Sequence, residues 1–387
     1  MKFLHMADLH IGKVLNDFPM LEEQKYILNE IVKIACRKDV DAIVMAGDIY
    51  DRSIPPAEAV AVFDDFITRM VNAGIQVILV AGNHDSQERV SFLENILCKQ
   101  GVHIAGVVKD KLTSFTMEKE HVITEFVLLP FCKPSQVECQ TSQEAVQKLL
   151  AGYWKRVEEL QKENANYRVS KRVLVTHFFV TNGGCLPELS ESETTIHVGN
   201  LDNVDVSVFD GFDYVALGHI HKPQQIGSSC AYYAGTPLKY SFGETSQEKG
   251  VFLVEVDEKK VNVEKMILVP LHDMRKIEGT LQELLDKGRE EGCAREDYIQ
   301  ACLTDEGELL EPMETLRSVY PNVMQIVRKK NTDGLHLPPG EKQTGIILDK
   351  RKEPLALFED FYQEVRETEI SDAQKDYMQK LIRELEE

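Results

Sequence analysis

Five short polar motifs each follow an apolar run, and together they limit what this chain can fold into more than any other feature. The motifs are Asp8-Leu9-His10, Gly47-Asp48 with Asp51-Arg52, Gly82-Asn83-His84-Asp85, Thr176-His177 and Gly218-His219-Ile220-His221. The apolar runs before them, residues 3–6, 42–46, 77–81, 173–175 and 214–217, predict strands. Open α/β folds place their sites at the carboxyl edge of a sheet, so five such edges predict one shared site.

The residue types in these motifs suit divalent transition metals. Imidazole, carboxylate and amide oxygen are ligands for Mn²⁺, Fe²⁺ and Zn²⁺, and all eight cysteines lie outside the motifs. Seven candidate ligands are too many for one tetrahedral ion, but they fit two ions that share a bridging carboxylate. Asp48 is the expected bridge, because it follows the second of the first three strands.

The spacing within the motifs gives a geometric expectation. In Asp8-Leu9-His10 and His219-Ile220-His221 the outer residues are two apart, so in extended chain their side chains point the same way. Glycines before or beside the ligands are expected to let the backbone turn sharply. A single histidine at a strand end is usually structural, but five of the eleven histidines fall in the motifs, which favours a site.

The ordered motif set resembles that of the calcineurin-like metallophosphoesterases. Three stretches are similar to the double-strand-break repair nucleases within that family: residues 1–13, residues 47–52 with Pro55-Pro56, and residues 81–86 with Arg89. The motifs cover the chain from residue 1 to about residue 240, and a weaker resemblance extends to its end.

The resemblance implies a role for each site residue. It assigns Asp8, His10, Asp48 and His221 to one metal, and Asp48, Asn83, His177 and His219 to the other. It implies two divalent ions, usually Mn²⁺. His84 would be no ligand but would face the scissile phosphate, stabilising charge or protonating the leaving oxygen. Asp85 is expected either to orient His84 or to cap the following turn. Arg52 is expected to support the site or a phosphate, or to form a structural salt bridge.

The order of strand-like and helix-like patterns predicts the fold class. Up to about residue 106, strands alternate with amphipathic helices at 21–37, 57–71 and 91–99, which predicts a parallel sheet. The stretch 142–163 predicts another helix. From 173 to 269 short β runs dominate, including 251–256 and 261–268, and predict a second sheet packed on the first. We therefore expect a four-layer α/β/β/α sandwich, followed by a small α+β capping domain and C-terminal amphipathic helices.

Composition shifts predict four segments. Residues 1–270 are expected to form the phosphoesterase domain, and residues 271–331 a small capping domain that contacts DNA in relatives. In that domain, 274–279, 298–303 and 323–328 read as strands and 281–287 and 313–319 as helices. Residues 332–354, rich in charge and containing Pro338-Pro339-Gly340, predict a linker, and residues 355–387 predict two amphipathic helices.

The C-terminal helices carry an apolar stripe that includes Phe358, Phe361 and Tyr362. They can fold back on the nuclease body or dock on another protein. The resemblance favours docking at the base of the coiled coil of a partner ATPase, and it implies a homodimer. Aromatic residues dominate interface hot spots, so these three are the expected anchors.

Composition narrows the function further. The net charge of −20 argues against non-specific coating of nucleic acid. The sequence has no apolar run of about 18 residues, so we expect no membrane span. It shows no signal-peptide pattern, and its scattered cysteines predict a cytoplasmic protein. The resemblance implies a metal-dependent nuclease that acts on double-stranded DNA ends and hairpins. The alternatives are a phosphatase or cyclic-nucleotide phosphodiesterase of the same fold, and a protein that tethers DNA ends and in which catalysis is secondary.

Overall fold

The computed structural model describes residues 1–164, 167–190 and 202–328, and residues 355, 358, 370–371, 374–375 and 377–379 near the C-terminus. Met1–Lys330 form one compact unit and Asn331–Glu387 form a second. All of the candidate metal ligands lie in the first unit. Among the described residues, no helix has the length and apolar character needed to cross a bilayer.

Strands and helices alternate early in the first unit, and strands dominate later. Its described helices are α1 (Leu21–Lys38), α2 (Ala57–Asn72), α3 (Gln87–Val90), α4 (Glu94–Leu97), α5 (Ser142–Glu163), α6 (Leu281–Arg289) and α7 (Pro312–Arg317). Its described strands are β1 (Lys2–Met6), β2 (Val14–Leu15), β3 (Phe18–Pro19), β4 (Ala42–Ala46), β5 (Gln76–Val80), β6 (Val102–Ala105), β7 (Thr113–Lys119), β8 (Val122–Leu129), β9 (Lys171–His177), β10 (Phe179–Thr181), β11 (Asn203–Asp205), β12 (Tyr214–Gly218), β13 (Gln224–Gln225), β14 (Ala231–Tyr233), β15 (Gly250–Val256), β16 (Val261–Ile267), β17 (Met274–Gly279), β18 (Tyr298–Leu303) and β19 (Val323–Arg328).

The first sheet has the strand order β16-β15-β1-β4-β5-β6. Strands β1, β4, β5 and β6 are parallel, as the alternating pattern predicts, and α1 and α2 make two of the crossovers. The β15–β16 hairpin joins antiparallel to β1. Our expectation that residues 251–256 and 261–268 belong to the second sheet is wrong, because an apolar run does not encode which sheet it joins.

The second sheet has the order β13-β14-β12-β9-β8-β7. Its four central strands are parallel, and β7 and β13 are antiparallel edges. The sequence analysis missed the β7–β8 hairpin. Its turn residues Glu120 and His121 have φ of 52° and 66°, values that a two-residue hairpin turn usually obtains from Asn and Gly. Without those residues the strongest short-range hairpin signal is missing.

Apolar clusters hold the layers together. Between the sheets lies a cluster that includes Phe3, Val44, Phe126 and Tyr214. A second cluster covers the outer face of the first sheet under α1 and α2, and a third covers the second sheet under α5. The four-layer α/β/β/α sandwich is therefore confirmed, and it brings the carboxyl ends of β1, β4, β5, β9 and β12 to one edge.

Residues 274–328 form a third sheet, of order β17-β18-β19, covered by α6 and α7. The predicted strand bounds match those observed. The strands are parallel and are joined by helices, so this small region is α/β in type rather than α+β. A separate apolar cluster joins Met20 and Phe242 of the sandwich to Met274, Tyr298 and Met324 of the third sheet. The division at residue 270 into two domains stays a prediction.

One predicted helix differs from the structure, and the predicted C-terminal segments lie mostly outside the described residues. The single helix predicted at 91–99 is replaced by α3, α4 and a 3-10 turn at Cys98–Gln100, since Leu93 between the two helices has a positive φ of 62°. In the second unit, Phe358 is helical and half-buried, whereas Phe361, Tyr362 and the predicted linker lie outside the described residues.

Candidate metal centre

Seven side chains from five loops meet at the shared sheet edge. They are Asp8 and His10 after β1, Asp48 after β4, Asn83 after β5, His177 at the end of β9, and His219 and His221 after β12. Five of the seven are buried, with Asp8 and His177 at 0% exposure, whereas His219 is half-buried and Asn83 is exposed. Two groups could each hold an ion, one of Asp8, His10 and His221 and one of Asp8, Asp48 and His177, with ligand atoms within 4.8 Å of one another.

The amide of Asn83 brings the remaining ligands into the same site. Its Oδ1 lies 3.0 Å from His177 Nε2 and 3.0 Å from His219 Nδ1. A third group that could hold an ion contains His84 with His10 and Asp48. The seven predicted ligands are thus close together, but how they divide between ions stays a prediction.

The backbone reaches this arrangement through left-handed conformations. Asp8, His10, Asp48 and His219 have φ of 53°, 44°, 51° and 99°. Our expectation of extended chain in the Asp-x-His and His-x-His motifs is therefore wrong: β1 and β12 end before the ligands begin. Hydrogen bonds hold the turns, with Asp8 N donating to Gly47 O at 3.1 Å and His219 N donating to Asp8 Oδ1 at 2.9 Å.

Two glycines beside the ligands are required for different reasons. Gly47 has φ of 87°, and a Cβ there would also collide with the His177 ring. At Gly82 a Cβ would collide with the Asp48 carboxylate. The expected sharp turn explains Gly47, whereas Gly82 lets the backbone approach the ligand closely.

His177 and Asp48 face each other inside the site. His177 Nδ1 donates to Ala46 O at 2.7 Å, so its Nε2 faces Asp48 Oδ2 at 3.4 Å. Burial alone would lower the pKa of His177, but the Asp48 carboxylate outweighs it and raises the pKa to about 9. Burial likewise works against ionised Asp48, yet His177 holds the pKa of Asp48 well below its usual range. Asp48 therefore stays ionised in the pocket, which is the form of a carboxylate that binds metals.

His10 supplies the test of whether these residues fit a metal. Both of its ring nitrogens are buried and have no hydrogen-bond partner among the described residues. The nearest carboxylate oxygens, Asp48 Oδ2 and Asp51 Oδ1, are each 3.8 Å away. Burial lowers the pKa of His10 well below its usual value, so the ring is neutral, the form that binds metals. Because buried polar atoms are normally satisfied, a cation is the partner that the lone-pair nitrogen of this ring lacks.

His84 is held by its backbone and by one ring nitrogen. Its N–H donates to Asp48 Oδ1 at 2.9 Å, and its Nδ1 donates to Asp51 O at 2.9 Å. A carbonyl only accepts, so the proton of the neutral ring is on Nδ1 and Nε2 faces the site, 4.0 Å from Asp48 Oδ2. The side chain is 38% exposed, and the ring can therefore meet a ligand that enters from solvent.

Asp85 has neither of the two roles expected from the sequence. Its carboxylate accepts hydrogen bonds from the backbone N–H groups of Ile49, Tyr50 and Gly82 at 3.1, 3.0 and 2.9 Å. Ser86, not Asp85, is the N-cap of α3. Burial raises the pKa of Asp85 to about 6. Asp85 thus joins the loop after β5 to the loop after β4, which carries the expected bridge.

Arg52 lies at the rim of the site. Its side chain is 70% exposed, and its Nε is 3.7 Å from Asp51 Oδ2. Asp51 has a closer partner in Lys13, whose Nζ donates to Asp51 Oδ1 at 2.7 Å. The contact of Arg52 is therefore loose, and both expected roles, at a phosphate or in a salt bridge, stay open.

Sequence analysis missed the side chains that support the loop after β1. Gln24 of α1 is buried, and its amide donates to His10 O at 2.7 Å and accepts from Gly12 N at 2.9 Å. The Tyr240 hydroxyl donates to Leu9 O at 2.6 Å. A glutamine in an amphipathic helix gives no sequence signal of such a role.

A buried ion pair lies beside His221. Glu244 is 0% exposed; its Oε1 is 3.6 Å from His221 Nδ1 and its Oε2 is 2.8 Å from Lys249 Nζ. Burial would raise the pKa of Glu244, but His221 and Lys249 together lower it to about 2. Residues 243–249 are polar throughout, so nothing in the sequence distinguishes this buried pair from exposed charges.

Comparison with known proteins gives two family matches. Residues 1–223 match the calcineurin-like phosphoesterase family, and residues 270–366 match a family described as the type 5 capsule protein repressor C-terminal domain. The chain is 31% identical over 337 residues to the SbcD protein of the nuclease SbcCD from Staphylococcus saprophyticus subsp. saprophyticus, covering 85% of each. It is 28% identical to the protein of that name from Staphylococcus epidermidis, covering 99% of this chain and 98% of the relative.

Solved structures give a weaker likeness. A dimetal phosphatase from Danio rerio has 13% identity and a TM-score of 0.40, covering 70% of this chain and 98% of the phosphatase. The two sequence matches are the more informative, because together they span both the site and the region after it.

Proposed function

Because this chain belongs to the calcineurin-like phosphoesterase family, among the SbcD-type nucleases, we propose that it is the metal-dependent nuclease component of an SbcCD-type complex. The observation that carries the activity is His10, whose two buried ring nitrogens have no partner among the described residues at an edge lined with carboxylates. A purely structural component would not need such a site.

We further propose two ions, with Mn²⁺ as the usual metal. Asp8, His10, Asp48 and His221 would hold one, and Asp48, Asn83, His177 and His219 the other. When bound, the ions would lower the pKa of a water molecule and offset the charge that develops on the phosphate. Asp48 as the shared ligand is supported by its position between His10 and His177.

His84 is the residue that we assign to proton transfer. Its Nδ1 is fixed on the Asp51 carbonyl, so Nε2 is the nitrogen that meets the substrate. When protonated, Nε2 can give its proton to the leaving oxygen of the phosphodiester. The same orientation prevents the ring from turning its other nitrogen towards the site. We assign His84 to catalysis rather than to metal binding, although it also lies in a group that could hold an ion, and the metal content of His84→Gln tests the assignment.

The substrates and partner follow from the family. We propose double-stranded DNA ends and hairpins as substrates, an SbcC-like ATPase as partner, and a cytoplasmic location. The C-terminal helices, with Phe358, Phe361 and Tyr362, would dock on the base of the ATPase coiled coil. Truncation after Pro354 should leave basal nuclease activity and abolish co-purification with the ATPase and stimulation by ATP. Full binding by the truncated chain would contradict this.

A homodimer is supported by an exposed apolar patch on α2 and the α3–α4 region. Val60, Phe92, Leu93 and Ile96 are 43%, 71%, 46% and 61% exposed, and Val60 and Phe92 line the same groove. Patches of this kind mark interfaces, and a two-fold dimer buries the same patch on both copies. Changing Phe92 and Ile96 to Glu should give monomers in sedimentation, whereas Leu310→Glu, at an 87% exposed site elsewhere, should not.

One comparison tests the function itself. With Mn²⁺ present, cleavage of linear duplex DNA, hairpin DNA and a small phosphodiester should be measured side by side. We expect both DNA substrates to be cleaved far faster than the small diester. Cleavage of the small diester alone would support a phosphatase or cyclic-nucleotide phosphodiesterase. DNA binding with no cleavage of any substrate would support a tethering role.

A further inference from the structure

The charged pair Glu244–Lys249 contacts His221 from two sides. Glu244 Oε1 lies 3.6 Å from the ring nitrogen Nδ1, and Lys249 Nζ donates to the backbone carbonyl of His221 at 2.8 Å. The two charges also meet each other at 2.8 Å, and their side chains are 0% and 4% exposed. The ring and the backbone of one candidate ligand are thus both held by the same ion pair.

The turn that contains Glu244 can form without a carboxylate at this position and without a buried cation beside it. Glu244 accepts from Tyr240 N through Oε2 at 3.2 Å and from Ser241 Oγ through Oε1 at 3.0 Å. In a glutamine the amide oxygen can replace Oε2, and the serine hydroxyl can accept from the amide nitrogen in place of Oε1. Removing two charges from water is costly, and a buried ion pair is often no more stable than apolar residues of similar volume. The charge therefore points to a role beyond closing the turn.

We propose that Glu244 is a positioning residue that orients His221 for metal binding, with Lys249 fixing both partners. This rests on the proposed function, in which His221 is a ligand. A carboxylate beside Nδ1 favours the tautomer with the proton on Nδ1 and leaves the Nε2 lone pair for a cation. Lys249 holds the carbonyl, so the ring can turn only about its own side-chain bonds.

The two proposed ion sites allow the inference to be tested without measuring activity. His221 belongs to only one of them, so a loss of orientation should weaken one ion and leave the other unchanged. Such supporting groups typically contribute about 10–100-fold in metal affinity. Mn²⁺ titration of Glu244→Gln by calorimetry should therefore show one ion bound about 10–100-fold more weakly and one with wild-type affinity.

Glu125 offers a matched control. It is also a buried acid, 5% exposed, with Tyr153 OH donating to it at 2.8 Å and Arg172 Nε at 3.3 Å, but it lies under α5 in the second sheet. Glu125→Gln should lower the melting temperature and leave both Mn²⁺ affinities unchanged. A loss of Mn²⁺ affinity in this control would mean that removing any buried acid disturbs the site, and would overturn the specific role of Glu244.

A second pair of variants keeps the inference testable if Glu244→Gln folds poorly. If Glu244 acts through His221, Glu244→Gln should have no further effect on Mn²⁺ affinity in a His221→Asn background. Additive losses in the double variant would contradict the proposal, as would wild-type affinity for both ions in folded Glu244→Gln. A wild-type protein that binds fewer than two ions would instead contradict the two-metal function, independently of Glu244.

Discussion

The loops of the metal centre and the small third sheet are built in opposite ways. In the loops, Asp8, His10 and Asp48 have positive φ and are held by buried polar bonds. In the third sheet, β17 to β19 are regular, and helices cover an apolar cluster. Hydropathy patterns therefore determine the sheet, whereas the centre depends on backbone conformations that such patterns do not encode.

The loops also carry a conformational cost that the sheet does not. A left-handed conformation costs an L-residue about 1–2 kcal/mol, and it persists only where the surroundings over-determine it. Here the surroundings are Gln24, Tyr240 and Asp85, each of which bonds to loop backbone. The comparison predicts large functional effects for changes in the loops and modest stability effects for changes elsewhere.

The largest effect should come from Asp48. Asp48→Ala removes the ligand shared by both proposed ions, and Asp48→Asn keeps its shape but loses the charge. We expect nuclease activity to fall at least about 10³-fold in both, because such metal clamps contribute several kcal/mol. Anomalous diffraction at the Mn edge should show the ions in wild type and their loss in the variants. A single ion in wild type would contradict the shared-ligand assignment.

His84 should separate chemistry from binding. His84→Gln removes the proton donor but no proposed ligand, so turnover should fall about 10²–10⁴-fold. Calorimetry should find both Mn²⁺ ions still bound, and DNA affinity should be unchanged. His177→Ala is the matched comparison, since it should weaken Mn²⁺ binding as well. Loss of an ion from His84→Gln would show that His84 is a metal ligand and would contradict its assignment to proton transfer.

A smaller effect is expected where the two regions meet. His272 Nδ1 lies 2.6 Å from Oε1 of Glu23, the residue that precedes Gln24 on α1. Burial lowers the pKa of His272, but bonds to Glu23 and Glu296 outweigh it and raise the pKa above its usual value. The stabilisation is therefore fully present below about pH 6.5 and is lost as pH rises through the higher folded-state pKa.

His272→Gln should accordingly melt below wild type at pH 5.5–6.5, by about 2 °C, and the difference should shrink at alkaline pH. Thermal melting across pH 5.5–9 checks this. If the difference in melting temperature grows with pH, His272 stabilises the protein as the neutral ring and the predicted pH dependence is wrong.

The smallest effect concerns a left-handed turn outside the site. His121, at the exposed β7–β8 turn, has φ of 66°. Glycine adopts this conformation without strain but loses more chain entropy on folding, so His121→Gly should stabilise the protein by only about 0.5 kcal/mol. Melting temperature should rise slightly while Mn²⁺-dependent activity stays constant. A change in activity would mean that left-handed turns away from the centre also serve it.

Sequence alone identified the candidate ligands because each follows a strand in the chain. It did not give their geometry: the two-residue spacing of Asp8 and His10 implied extended chain, but the backbone turns there. It also could not find Gln24 or Glu244, since their contacts join residues 14 and 23 positions apart across different elements. Long-range polar contacts leave no periodic pattern.

The layers of the fold could be predicted from the sequence, whereas the pairing of neighbouring strands within each sheet was harder to predict. Alternating strands and helices indicated a parallel first sheet, and the regular third sheet matched its predicted bounds. The β7–β8 hairpin was missed because Glu120-His121 is an unusual turn pair. The β15–β16 hairpin was placed in the wrong sheet because hydropathy does not specify a strand's partner.

The pairing of β1 with β15 has a consequence for synthesis of the chain. Phe3 pairs with Val254, so β1 lacks its neighbour until some 250 further residues have been made. At typical translation rates of about 5–20 residues per second, that delay is roughly 10–50 s. During it, one edge of a buried strand is open to wrong pairing. The first sheet therefore closes late in synthesis, and β1, which is exposed early, is the segment that a chaperone would need to shield.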